Sequence, residues 1–161
     1  MNREMSRPEL KSHSRFLWVL RVGVAAGLVV SAVIHVQLAP GYQQAAPGGI
    51  GQGTLFLVQA GAAVLAAMFV MVKGSRTAFA AAAVVALSSL AAVILYRYVQ
   101  VPAIGPLPSM YEPVWYAAKV LSAVAEAVAG ALAVAGYALL HKNQSGSGTA
   151  ARGRGRGASA A

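Results

Sequence analysis

The sequence predicts an all-α polytopic membrane protein, an antiparallel bundle of four transmembrane helices. Three observations carry that prediction. Of the 161 residues, 58% are hydrophobic and only 11% are charged, less than half the charged share usual in soluble domains. Four apolar stretches are each long enough to cross a bilayer, which takes about 20 residues. The net charge of +9 is gathered at the chain ends and in one short loop, a topology signal and not the basic face of a nucleic-acid binder.

The first helix is expected over residues 15 to 39, "RFLWVLRVGVAAGLVVSAVIHVQLA". Pro40 directly after it is a poor residue to follow a cleavage site, so this helix is read as a retained span and not a signal peptide. The second is expected over 54 to 72, the third over 77 to 100 and the fourth over 113 to 141. Gly- and Pro-rich turns separate them, and Pro113 suits the first position of the fourth helix, where its missing N–H costs nothing. A cytoplasmic N-terminal segment is expected over 1 to 14 and a disordered Arg-Gly tail over 142 to 161.

Basic residues set the orientation. Arg3, Arg7, Lys11 and Arg15 precede the first helix, Lys73 and Arg76 flank the second turn, and Lys142, Arg152, Arg154 and Arg156 follow the fourth. Both termini are therefore expected in the cytoplasm and the two Pro/Gly-rich loops outside, across the plasma membrane. Trp18 falls at the expected inner interface, and Tyr111 and Trp115 at the outer one. Arg21 is expected to snorkel to the inner surface and Lys119 to the outer, since side chains tilt toward a helix's N-terminus.

Glu126 stands out. It falls near the middle of the fourth span, where a carboxylate costs on the order of 2.5–3.5 kcal/mol, so it should be protonated, paired or beside water. The tilt of antiparallel helices aims Arg97 and His35 down from the outer end and Glu126 up toward them, with Gln59 at a similar depth. These four residues are expected to form a buried polar network or the floor of a pocket in the outer leaflet. Each has a plainer reading: Gln59 as an interhelical hydrogen bond, His35 as an interfacial histidine, Arg97 as an outward snorkel. There are no cysteines, which excludes disulfides and thiolate metal sites. No catalytic or cofactor motif is present, and one histidine with one carboxylate does not make a metal site. Ser122, Ala129, Gly130, Ala133 and Gly136 give the fourth helix a small-residue stripe suited to close packing, within the bundle or against a partner.

The stretch "LRVGVAAGLVVSAVIHVQLAP" resembles the first helix of small bacterial four-helix membrane proteins of the DoxX-like type. "HVQLAPGY", "GTLFLVQAGAA" and "YEPVWYAAKVLSAVAE" look like uncharacterised actinobacterial integral membrane proteins. The resemblance spans about residues 15 to 140 in outline. It implies a redox or quinone-linked role in which His35 is the one position carried over.

Together these features favour a non-catalytic accessory or small-molecule/lipid-binding module over an enzyme. The alternative is a redox-linked enzyme or a small transporter using Glu126 as proton carrier. The partners expected are membrane lipids and a homo-oligomer or larger membrane complex; nucleic acid is not indicated.

Overall fold

The computed structural model describes the backbone of residues 7–44, 50–104 and 109–157, and the side chains of 14–44, 50–104 and 109–142. Four helices follow in order: α1 (Arg7–Gln44), α2 (Gln52–Lys73), α3 (Arg76–Tyr98) and α4 (Ala117–Gly157). All four are long and apolar enough to cross a membrane. Valines and leucines such as Val29, Leu65, Val84 and Val124 point outward all round the bundle. A water-soluble monomer does not expose so continuous an apolar belt. The chain is an integral membrane protein by this architecture.

Consecutive helices are antiparallel neighbours, and α4 closes the ring against α1, leaving α1 and α3 in slight diagonal contact. Inward positions recur every three or four residues on each helix, as a packed helical stripe requires. On α2 they are Ala60, Ala63, Ala66, Ala67 and Val70; on α3, Ala78, Phe79, Ala82, Ala83 and Ala86. Alanine here replaces bulk with proximity. At Gly27 of α1 an added Cβ would lie 2.9 Å from the Ala129 Cβ and 3.0 Å from the Ala125 carbonyl oxygen of α4. Gly130 and Gly136 receive Leu87 and Phe79 of α3 in the same way. The small-residue stripe of α4 is thus used within the bundle.

The helix ends differ from the sequence expectation in four places. α1 continues through Pro40 to Gln44. Its added turn is held because the Gln43 Oε1 accepts from the Thr54 N–H and hydroxyl, both at 3.1 Å, and so caps α2. At its other end α1 begins at Arg7, within the expected N-terminal segment, whose residues 1–6 lie outside the described residues. α4 begins at Ala117, so Pro113 precedes the helix by four residues. The segment before it is held extended instead, by an antiparallel bridge between Val101 and Met110 and by the Glu112 N–H donating to the Tyr96 carbonyl at 2.9 Å. Beyond Lys142, α4 runs on as helix to Gly157 over most of the expected tail, each added residue contributing one backbone hydrogen bond to an existing helix. Residues 158–161 of that tail lie outside the described residues.

Arg21 reaches the end of α2 beside the α2–α3 turn. Its Nε donates to the Val70 carbonyl at 3.0 Å and its Nη2 to that of Met71. These are carbonyls of the last turn of α2, where the dipole favours a cation; the Val70 carbonyl also accepts from the Gly74 N–H at 2.9 Å. Gly74 completes this end with a left-handed φ of 54°, a conformation open to glycine at little cost. Ser75 then caps α3 by accepting from the Ala78 N–H at 3.2 Å.

Candidate functional site

Glu126 lies on the inward stripe of α4 with Lys119, Ser122, Ala129 and Ala133, and is fully buried, with 0% exposure. Three hydroxyls from three helices donate to its Oε1: Ser31 of α1 at 2.8 Å, Ser89 of α3 at 2.8 Å and Ser122 of α4 at 3.0 Å. A buried carboxyl must be supplied with hydrogen bonds, and here one oxygen receives them all. Oε2 is buried with no hydrogen-bond partner among the described residues.

His35 is one turn from Ser31 on the same face of α1. Its Nδ1 lies 2.9 Å from the Ser31 carbonyl, 3.3 Å from the Ser31 Oγ and 3.9 Å from the Glu126 Oε1. A carbonyl only accepts, so Nδ1 carries the proton. In the neutral imidazole this leaves Nε2 as the acceptor. The ring edge packs against Phe56 of α2, at 5.2 Å between centroids and 86° between planes.

Of the four residues expected to converge, the structure brings two together, Glu126 and His35. Gln59 lies nearby on α2, but its Nε2 reaches the Val85 carbonyl of α3 at 3.4 Å. Arg97 is not a partner of Glu126. Its guanidinium stacks 5.2 Å from the Tyr98 ring, and its Nε is buried without a hydrogen bond among the described residues. Arg97 follows Ser89 by two helical turns on α3, about 12 Å along the axis. The axial tilt of its side chain cannot cover that distance.

Lys119 leans toward the start of α4 as its Cα–Cβ direction requires, and it is buried there. Its Nζ donates to the Glu112 carbonyl at 2.6 Å and the Val114 carbonyl at 3.3 Å, and sits 5.5 Å from the Trp115 ring. Trp115, Tyr111 and Trp18 are exposed along the bundle surface.

Above the serine cluster, all four helices line a partly open cavity of about 240 Å³. His35, Gln59, Ser88, Ser89 and Ser122 form its floor, and Leu38, Leu55, Phe56, Ala92 and Val93 its apolar walls. Tyr42, Tyr96, Tyr116 and Lys119 stand nearer the α3–α4 segment, which contributes Met110, Tyr111 and Glu112. The Tyr42 hydroxyl donates to the Glu112 Oε2 at 2.9 Å and lies 2.9 Å from the Tyr116 hydroxyl. It thereby ties the end of α1 to the segment before α4. No family model, curated protein or solved structure matches the chain. Its chemistry is read from this site.

Two chemistries can be weighed on geometry. Ser31, His35 and Glu126 are close, yet they do not form a nucleophile–base relay. The Ser31 proton goes to the carboxyl and the facing imidazole nitrogen is itself a donor, so nothing at Nδ1 takes a proton from the hydroxyl. Among the described residues no group of three His, Cys, Asp or Glu side chains could hold a metal. What the site does offer is a partly open, largely apolar volume with polar groups at both ends, the usual construction of a small-molecule site.

The sequence singled out long polar side chains and passed over Ser31 and Ser89, which supply two of the three hydrogen bonds to Glu126. A signal was present. Ser31 and His35, like Ser122 and Glu126, are four residues apart, the spacing that places polar groups on one helical face.

Proposed function

We propose that this protein is a non-catalytic membrane module that binds a small amphiphilic molecule in the cavity between its four helices. The observation that carries this reading is the cavity itself. A helix bundle that can pack alanine against alanine elsewhere leaves about 240 Å³ open beside the buried Glu126 carboxyl. Open volume in a core costs stability, and polar groups inside a membrane mark functional positions by default.

The basic residues support an orientation with both termini in the cytoplasm, so that the cavity lies in the outer leaflet of the plasma membrane. Cysteines introduced at Gln44 and Ser109 should react with an impermeant thiol reagent on whole cells, and one at Ser147 should not. Labelling at Ser147 alone would reverse the orientation.

Binding is tested by native mass spectrometry of the full chain extracted in mild detergent. Wild type should carry a bound small molecule, and Ala92→Trp, which fills the cavity from α3, should lose it while keeping its melting temperature. Retention of the same adduct by Ala92→Trp would sink the reading.

A further inference from the structure

The hydrogen bonds around Glu126 fix more than its own position. Ser89 and Ser122 both line the cavity, and both spend their single proton on the Glu126 Oε1. Ser88, also on the floor, spends its own on the Val85 carbonyl at 3.2 Å. A hydroxyl has one proton and two lone pairs, so each of these three can only accept from a molecule in the cavity. His35 joins them, because Nδ1–H is committed to the Ser31 carbonyl and Nε2 is left as an acceptor. Gln59 is the one floor group with an N–H to spare. At the opposite end the balance is reversed: Lys119 is a cationic donor, and Tyr96 and Tyr111 bring further hydroxyls.

We infer that the cavity is built for an amphiphile whose buried end is a hydrogen-bond donor, a hydroxyl or an amine, and that its serine floor discriminates against carbonyl, ether and carboxylate ends. This rests on the binding role proposed above and adds the chemical class of the ligand. Glu126 is the positioning residue. It touches no ligand, but by drawing the Ser89 and Ser122 hydroxyl protons toward itself it turns those two oxygens' lone pairs toward the cavity. Size follows from volume. An apolar cavity of about 150 Å³ accepts benzene, so this one takes a molecule of roughly ten non-hydrogen atoms, with an aromatic or aliphatic body against Phe56, Leu55 and Val93.

Two matched pairs of that size test the inference: para-propylphenol against its methyl ether, and phenylbutylamine against phenylbutyrate. Each is titrated by tryptophan fluorescence into the full chain in nanodiscs, with empty nanodiscs giving the partition baseline. The phenol should bind about tenfold tighter than the ether, the margin of one buried hydrogen bond. The amine should likewise outbind the carboxylate if a cationic donor is accepted; selectivity in the phenol pair alone restricts the class to neutral donors. Equal binding within both pairs, or preference for the ether or the carboxylate, overturns the donor rule while leaving a binding cavity. Failure of all four to bind overturns the binding role itself. Glu126→Leu gives an independent readout. It removes the acceptor that holds the Ser89 and Ser122 protons, so those hydroxyls become free to donate into the cavity. The phenol-to-ether preference should fall several-fold, and an unchanged preference would count against Glu126 as the positioning residue.

Discussion

The two halves of the bundle are built on opposite plans. Toward the termini, the core is Ala63, Ala67, Ala82, Ala133 and Phe79, dry and closely packed, with glycines admitting neighbouring helices. Toward the α1–α2 and α3–α4 loops, the same inward stripes carry Ser31, His35, Ser89, Ser122 and Glu126 and then open into a cavity. In lipid there is little hydrophobic drive between helices, so close packing is what associates them. The terminal half therefore supplies most of the cohesion. The loop half forgoes packing and is held by hydrogen bonds. That division lets a binding site exist without threatening the fold.

The largest effect should come from wedging the packed half apart. Gly27→Leu places a side chain where even a Cβ meets the Ala125 backbone carbonyl, and α1 and α4 cannot both stay in place. A loss of about 3 kcal/mol is expected, read as a sharp drop in melting temperature in detergent. A nearly unchanged melting temperature would mean that cohesion does not reside in this half.

Next in size is the serine–carboxyl cluster. Glu126→Leu strands three hydroxyls, though serine can turn back to its own helix carbonyls, so the loss should be about 2 kcal/mol. Coupling locates the network. The Glu126→Gln/Ser89→Ala cycle should be non-additive by about 1 kcal/mol, whereas Glu126→Gln with Arg97→Gln should add within about 0.5 kcal/mol. Strong coupling to Arg97 would contradict the arrangement described here.

These residues also show how far the sequence could be read. Helix number and order were legible because the length of an apolar run is a sufficient signal in a bilayer. Glu126 was legible because its cost in hydrocarbon is large and its phase with Ser122, Ala129 and Ala133 is visible. Ser31 and Ser89 were not, since a serine passes unnoticed in an apolar helix. Arg97 was placed with Glu126 because side-chain tilt gives a direction along the axis but no rotation about it and no length of reach. Lys119 and Arg21 were read as reaching toward their own helix ends, and the carbonyls that receive them there left no sign in the sequence. Tyr42 fell in an expected loop after Pro40, so its place above the cavity could only be seen in three dimensions.

Arg21 tests whether the terminal half also depends on a polar contact. Arg21→Ala removes the donors from the Val70 and Met71 carbonyls at the end of α2. The expected loss is about 1–2 kcal/mol, and Arg21→Lys should recover only part of it, because a single ammonium lacks the planar fork. Full recovery by lysine would show that charge alone matters at this helix end.

The smallest effect should be the most local. Tyr42→Phe keeps the ring against Phe56, whose centroid is 4.8 Å away, and deletes only the hydroxyl shared with Glu112 and Tyr116. One net hydrogen bond is worth about 1 kcal/mol, so the melting temperature should fall only slightly. Backbone exchange should respond more. The amides of Met110 and Glu112, bonded to the Val101 and Tyr96 carbonyls, should lose protection about fivefold as the segment before α4 opens more often. Amides in the middle of α2 and α3 should not change, because the alanine half does not use this contact. A rise in exchange through the whole bundle would instead make Tyr42 part of the global fold, and the independence of the two halves would fall with it.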